Sequence, residues 1–93
     1  MSVARFRGVV LAGHKQRAIE VPFDPGERWK IRTQAIRAGR RGHAVRARIN
    51  GASFDGFVVA RSKKFWLLLP ADVEATARIA VGDEVGVTLH ALG

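Results

Sequence analysis

The chain has no cysteine among its 93 residues. Disulfide bonds and metal sites built on thiolates are therefore excluded, and cysteine usage gives no information about the redox state of the compartment. A chain of this length forms one domain with a single modest core and is too short for two. With 47% hydrophobic and 26% charged residues, its composition is typical of a globular domain and not of a disordered segment.

The sequence also lacks a long hydrophobic run near its start. The apolar stretch VVLA covers only residues 9–12 and is followed by charge. Such a stretch is too short for the core of a signal peptide and far too short to cross a bilayer. We therefore expect a soluble, cytoplasmic protein with no membrane partner.

Acidic residues are scarce, with eight against sixteen lysines and arginines and a formal net charge of +8. The imbalance lies in the middle of the chain, because residues 28–64 contain one acid, Asp55, whereas residues 65–93 contain four acids and one basic residue, Arg78. A basic region of this kind attracts nucleic acid, anionic lipid headgroups or acidic proteins, or is a solvated surface without a specific partner. Its eleven basic residues are Arg28, Lys30, Arg32, Arg37, Arg40, Arg41, Arg46, Arg48, Arg61, Lys63 and Lys64.

The start of the chain predicts two strands and a short helix. Residues 4–11 and 16–21 have the patterns of strands, and Pro22 ends the second because proline cannot donate to a ladder. Asp24 followed by Pro25 predicts a helix start, with the aspartate as N-cap and the proline in the first turn.

The middle of the chain predicts a basic segment followed by a hairpin. Residues 30–42 are expected either to continue the helix or to form a basic loop. Residues 43–49 alternate as a strand, and Asn50 and Gly51 predict a type I′ turn into the returning strand. Gly56 within that returning strand is expected to mark a bulge or a bend.

The last third predicts a turn, a strand, a helix and a final strand. Residues 61–64 form an exposed basic turn, and FWLLL at 65–69 is an apolar strand stopped by Pro70. ADVEATA at 71–77 predicts a short helix with carboxylates near its positive end. After a Gly-Asp turn, the inner face of the last strand is expected to consist of Val85, Val87 and Leu89.

The two halves of the chain repeat the same order of elements. VPFD at 21–24 aligns with LPAD at 69–72, an offset of 48 residues. The first unit covers about residues 4–49 and the second about 52–89, and each offers three strands and a helix, too little for a stable core alone. Together they predict a mainly β fold: a six-stranded double-split β-barrel made of two β-hairpin–helix–strand repeats and capped by two short α-helices.

Three segments carry a resemblance to known proteins: IEVPFDPGERW, VRARINGASFDGFVV and LLLPADVEATARIAVGDEVGVTL. The stretch LPADVEATARIAVGDEV resembles the swapped-hairpin unit of AbrB/MazE-type transcription factors and antitoxins. The three segments together resemble a bacterial domain-of-unknown-function family related to the YdeI/OmpD-associated proteins. This resemblance implies a double-split β-barrel that is a single-chain version of the AbrB-like dimer. It therefore implies a monomer, with a dimer as the alternative, and it implies no activity.

Neither catalysis nor metal binding is indicated by the residue spacing. His14, His43 and His90 are far apart and lack the His-x-His or His-x-x-x-His spacing of metal ligands. The serines lack the context of a nucleophile elbow, and the acidic pairs are explained by a helix start and a turn. We therefore expect a binding domain that is not an enzyme and has no catalytic residues, metal or cofactor.

Nucleic-acid binding is the first hypothesis for function. Arg46 and Arg48 project from one face of a predicted strand, close in sequence to the other basic residues. Phosphate contacts require only well-placed cations, so DNA or RNA is the expected partner. No side chain is identified as aimed at base edges, which sequence-specific binding would need. The residues expected to contact phosphate are Arg40, Arg41, Arg46, Arg48, Lys63 and Lys64.

A module that binds a small ligand or another protein is the alternative hypothesis. A barrel of this size fills its interior with side chains, so a pocket would lie at an end or against a helix. Trp29 and Trp66, near the two helix starts, are the candidates for its lining, and the adjacent Phe65 and Trp66 cannot both face the interior. A continuous positive stripe on the exposed face of the 46–61 hairpin would favour nucleic acid, whereas a deep apolar cleft would favour a ligand.

Overall fold

The computed structural model describes residues 3–13, 16–37 and 39–92. These residues form seven strands and two short helices. In chain order the elements are β1 (Val3–Leu11), β2 (Ala18–Val21), α1 (Pro25–Trp29), β3 (Gln34–Arg37), β4 (Arg40–Ile49), β5 (Ala52–Arg61), β6 (Lys64–Leu68), α2 (Ala71–Ala77) and β7 (Glu84–Ala91).

Six of the strands close into an antiparallel barrel. Their order is β4, β5, β6, β2, β1 and β7, and β7 pairs again with β4 to complete the ring. The prediction of a mainly β fold with a six-stranded barrel and two short helices is therefore confirmed. The seventh strand, β3, lies outside the ring and pairs only with the beginning of β4.

The barrel interior is filled by alternate apolar residues of every barrel strand. On β7 the predicted inner face of Val85, Val87 and Leu89 is buried, which confirms the alternation seen in the sequence. Burying each aliphatic side chain of this kind stabilises the fold by about 1.5–3 kcal/mol. The largest fully buried side chains are Ile19, Ile49, Leu67, Leu69, Leu89, Val10, Val45, Val58, Val87 and Pro25.

Local capping signals determine where the helices begin and end. Asp24 caps α1 as predicted, because its Oδ1 accepts hydrogen bonds from the backbone N–H groups of Gly26 at 2.9 Å and Glu27 at 3.3 Å. At the hairpin turn, Asn50 has a φ of 51°, and its side-chain amide donates to the carbonyl of Ala77 at 2.9 Å. The turn therefore also satisfies an otherwise unpaired carbonyl at the end of α2. Within the described residues, neither helix is long and apolar enough to cross a membrane.

The predictions for residues 30–42 were wrong for most of the segment: residues 31–33 are irregular, as the loop alternative expects, but residues 34–37 and 40–42 lie in strands. Lys30 adopts a φ of 56° and ends α1, after which the chain turns into β3 and then β4. The guanidinium of Arg41 donates to the hydroxyl and the carbonyl oxygens of Thr33, at 3.0 and 2.8 Å. These contacts and the β3–β4 ladder stabilise a hairpin that local sequence patterns did not indicate.

The predicted bulge at Gly56 was also wrong. Strand β5 runs unbroken from Ala52 to Arg61, and Gly56 lies in regular register opposite Val45. The glycine is instead covered by a neighbouring ring, because a Cβ built on it would lie 3.4 Å from Cε2 of Phe54.

Candidate ligand-binding cavity

The outer face of the barrel carries an apolar row across three neighbouring strands. Leu11 of β1 lies opposite Ala18 of β2, and Ala18 lies opposite Leu68 of β6. The side chains of Leu67 on β6 and of Leu69 just after it are buried in the barrel, so Trp66 and Leu68 face outward. An apolar row on the outside of a barrel is stable in water when another part of the chain or a bound molecule covers it. Leu11, at one end of the row, remains 40% exposed.

The β3–β4 hairpin lies over part of this face. It approaches β5 closely at Gly42, where an added Cβ would lie 3.1 Å from Cγ1 of Val59 and 3.0 Å from Cδ1 of Ile36. A larger residue at Gly42 would therefore require its neighbours to shift by a few tenths of an ångström. The hairpin then forms one wall of a cleft, and the β5–β6 turn and the end of β1 form the others.

The cleft has a volume of about 690 Å³. This volume is in the range of pockets that hold small molecules. Its walls combine apolar side chains with arginines, and none of its described lining residues is acidic. The lining residues are Leu11, Gly13, Gln16, Ala18, Gly39, Arg40, Arg41, Val59, Ala60, Arg61, Ser62, Trp66 and Leu68.

Trp66 provides the aromatic wall of this cavity and is held by a hydrogen bond. Its Nε1–H donates to the carbonyl oxygen of Arg61 at 3.2 Å. Because the polar edge of the indole is satisfied within the protein, the ring offers apolar surface to a ligand at little cost in ordering. The outward position of Trp66 is consistent with the expectation that Phe65 and Trp66 face opposite ways.

Three arginines are among the residues that line the cavity: Arg40, Arg41 and Arg61. Arg40 is half-buried, and Arg41 is held in place by its two hydrogen bonds to Thr33. None of the three takes part in the salt bridges formed within the described residues. The described lining of the cavity is therefore basic as well as apolar, which gives it a positive potential, and the carboxylate of Glu20 on β2, opposite Trp66, is paired with Lys64.

The two predicted lysines lie at the edge of this site. Ser62 and Lys63 form a two-residue turn with φ values of 53° and 63°, and Ser62 lines the cavity. Lys63 is exposed at the tip of the turn. Lys64 lies 3.7 Å from the carboxylate of Glu20, in an exposed ion pair that contributes little to stability.

The other two predicted cations lie elsewhere on β4. Arg46 forms an exposed salt bridge with Asp55 at 2.8 Å. Through this hydrogen bond the guanidinium holds the pKa of the Asp55 carboxyl below its usual value. Arg48 lies between Ser53 of β5 and Thr88 of β7. The six cations predicted as one surface are therefore divided between two places, and the outer face of the 46–61 hairpin is interrupted by an acid.

The two tryptophans also lie apart. Trp66 lines the cavity, whereas Trp29 packs against Phe23 with ring centroids 5.2 Å apart and an angle of 69°. Phe23 in turn contacts Phe6 edge to face. Trp29 is thus part of an aromatic cluster beneath α1 and does not line the cavity, because its helix packs on a different part of the barrel from the β5–β6 hairpin.

Neither of the two histidines that the structure describes lines the cavity. His14 lies outside the described residues. His43 is buried, with its Nε2 next to Gly26 at the start of α1. His90 is exposed on β7, opposite Arg46 and Val3.

Leu11 and Arg61 line the cavity but were not among the residues predicted from the sequence to form a binding site. Leu11 ends an apolar run in the sequence, yet the pleat of β1 turns its side chain outward, where it is 40% exposed. Arg61 was grouped with a solvent-exposed turn. The sequence signal for Arg61 was its place at the end of a strand, since a two-residue turn fixes the pair Arg61 and Lys64 at the base of a hairpin.

Comparison with known proteins gives the family of the chain and nothing about its ligand. No curated protein matches the sequence. One family model matches residues 6–89, which span β1 to β7 and include every residue that lines the cavity. The prediction of a domain-of-unknown-function family is confirmed to that extent. The chain belongs to the family described as "Domain of unknown function (DUF1905)".

Proposed function

We propose that this protein is a non-catalytic binding domain for a small molecule that has an anionic group and an apolar body. One observation supports this proposal above the others. Three arginines that form none of the salt bridges within the described residues line a cavity of about 690 Å³ whose floor is apolar. A ligand with both chemical features would satisfy both kinds of surface.

The two parts of the cavity contribute different energies. Hydrogen bonds between a guanidinium and a carboxylate, sulfonate or phosphate are charge-assisted, and arginine can form them in pairs. Apolar contact with Trp66, Leu68 and Leu11 adds about 25 cal/mol for each Å² removed from water. A polyanion without an apolar group would form hydrogen bonds with the arginines but would leave the apolar floor of the cavity exposed to water. The cavity therefore favours a small amphipathic anion over a nucleic-acid chain.

Arg61→Gln is expected to weaken binding of anilinonaphthalene sulfonate, a fluorescent anion with an apolar ring system, by about 10-fold or more. The reason is that a hydrogen bond to a charged group contributes about 1.5–3 kcal/mol. Phenylnaphthylamine, which has the same rings without the sulfonate, should bind the variant and the native protein equally. Fluorescence titration of both dyes measures the two dissociation constants.

Arg48→Gln is the matched control, because it removes the same charge from a residue outside the cavity. Anilinonaphthalene sulfonate should bind this variant as it binds the native protein. The proposal fails if both variants lose affinity equally, since that result would reflect net charge alone. It also fails if the native protein binds neither dye in a saturable manner.

We also infer that the barrel is an internal duplication with the double-split topology, related to the YdeI/OmpD-associated proteins and to the AbrB/MazE-type dimers. The strand registers support this inference. Adding the offset of 48 to the β1–β2 pair of Val10 and Ile19 gives Val58 and Leu67, which pair in β5–β6. The same exchange turns the β1–β7 pairing into the β5–β4 pairing, although β7 corresponds to β4 with an offset of 40 residues, as when the pair of Phe6 and Val87 becomes that of Phe54 and Ala47. Each unit thus has its partner within the same chain.

A monomer is the expected state in solution, because the closed ring leaves no barrel strand to pair with a second copy. Light scattering after size exclusion should give the mass of one chain, 10.2 kDa. A stable dimer across the micromolar concentration range would contradict this expectation. The binding experiment above is unaffected by that outcome, since each chain has its own cavity.

A further inference from the structure

A second cleft lies on the outer face of β4, β7 and β1. Thr88 of β7 pairs with Arg48 on one side and with Arg5 on the other. Since neighbouring strands are about 4.8 Å apart, the two arginines begin about 10 Å from each other and can both reach a group lying over Thr88. The cleft has a volume of about 500 Å³ and shares no lining residue with the cavity described above.

The cations of this face follow a diagonal line across the three strands. Arg46 and Arg48 are two residues apart on β4, and Arg5 and Arg7 are two residues apart on β1. On each strand the spacing is therefore about 6.6 Å along one face. All four side chains are exposed, so the line of guanidinium groups is open to solvent.

The carboxylates near this line pair with the two arginines at its ends and not with Arg5 and Arg48 at its centre. Arg7 is paired with Glu84 at 2.9 Å and Arg46 with Asp55 at 2.8 Å. Both are exposed pairs of the kind that contribute little and can be exchanged for another anion. Arg5 and Arg48 form none of the salt bridges found within the described residues, and no described residue lining the cleft is acidic.

Two glycines make the floor of the cleft accessible to a bulky group. A Cβ built on Gly51 would meet no other heavy atom within 4 Å, and the nearest to one built on Gly86 is Nη1 of Arg7 at 3.8 Å. A ligand can therefore approach the backbone, with the hydroxyl of Thr88 as a further donor. Small or hydroxyl-bearing residues between arginines are typical of surfaces that bind phosphate oxygens.

We propose that the line Arg46–Arg48–Arg5–Arg7 binds the phosphodiester backbone of single-stranded nucleic acid. A single small anion would gain little here, because the cleft is shallow and each contact is exposed to water. A chain of phosphates makes the contacts repeatedly and releases a counterion at each one. The described residues that line the cleft come from strands and a tight turn and not from a helix that could enter the major groove of duplex DNA, so an extended single strand fits the cleft best.

Fluorescence anisotropy with a labelled oligothymidylate of about 15 nucleotides tests this proposal. For four phosphate contacts, the logarithm of the binding constant should fall with the logarithm of the salt concentration with a slope of about −2.8. Arg5→Gln combined with Arg48→Gln should make that slope shallower by about 1.4, because two contacts are lost. Arg5→Lys combined with Arg48→Lys keeps both charges and should leave the slope unchanged.

Arg40→Gln combined with Arg61→Gln is the control, since it removes the same two charges from the cavity. Its slope should equal that of the native protein, and thermal unfolding should show that all three double variants are folded. The proposal is overturned if both glutamine pairs change the slope equally, if polyaspartate competes as well as the oligonucleotide, or if the native protein shows no saturable binding at about 50 mM salt. Because dye binding uses the other arginines, either site can fail while the other is retained.

Discussion

Trp66→Ala is expected to weaken binding of anilinonaphthalene sulfonate by about 5- to 140-fold. Removing an aromatic platform costs about 1–3 kcal/mol where a planar group stacks on it, and each 1.4 kcal/mol is a factor of ten in the dissociation constant. The indole is held by its hydrogen bond to the carbonyl of Arg61, so a ligand would not have to order it. Phenylnaphthylamine should lose affinity by a similar factor, because this contact does not depend on charge.

Trp29→Ala is the matched control for this experiment. Trp29 is also half-buried, but it contacts Phe23 beneath α1 and does not line the cavity. Its removal should lower the melting temperature without changing either dissociation constant. With Trp29→Phe, Trp66 becomes the single tryptophan of the chain, and its emission should change when a dye binds. Unchanged emission, or equal loss of affinity in both alanine variants, would place the ligand somewhere else.

Structural features that depend on residues adjacent in the sequence could be predicted from it. Asp24 and Pro25 carry a complete helix-start signal, and Asn50 and Gly51 tolerate the positive φ values of a tight turn. The ring of six strands followed from the repeated order of elements in the two halves of the chain. In these places local conformational preference and tertiary packing favour the same structure.

The segment between α1 and β4 shows where such prediction ends. β3 is only four residues long, and its backbone is stabilised by the ladder with β4 and by the contacts of Arg41 with Thr33. The residues of β3 show no alternation that would predict a strand, because the strand depends on its pairing with β4, which follows it in the chain. The same hairpin supplies Arg40 and Arg41 to the cavity, so an error in one segment also concealed the site.

The cations illustrate the difference between closeness in sequence and closeness in space. Arg40 and Arg46 lie on one strand, six residues apart, which is about 20 Å in an extended chain. They belong to different surfaces for that reason. Conversely, Arg5 and Arg48 are distant in sequence and become neighbours because both strands pair with β7. Charge counted along the chain could not predict either grouping.

Leu67→Ala is expected to lower the free energy of unfolding by about 3 kcal/mol, within the range of about 2–5 kcal/mol for such changes in cores. Leu67 is fully buried and pairs with Ile19 and Val58, which are also fully buried. The substitution would leave a cavity among residues from three strands. Since a domain of this size has a stability of about 5–14 kcal/mol, urea titration should show a much lower midpoint, and the melting temperature should fall by about 12–24 °C.

Leu68→Ala is the control, because it removes the same atoms from the next residue on the same strand. Leu68 faces outward, is half-buried and lines the cavity, so its loss should cost only about 1 kcal/mol. It should also weaken binding of both dyes, because it removes part of the apolar floor. A register shifted by one residue would exchange the two leucines between interior and surface. The larger loss of stability would then follow Leu68→Ala, and that result would contradict both the barrel register and the cavity that depends on it.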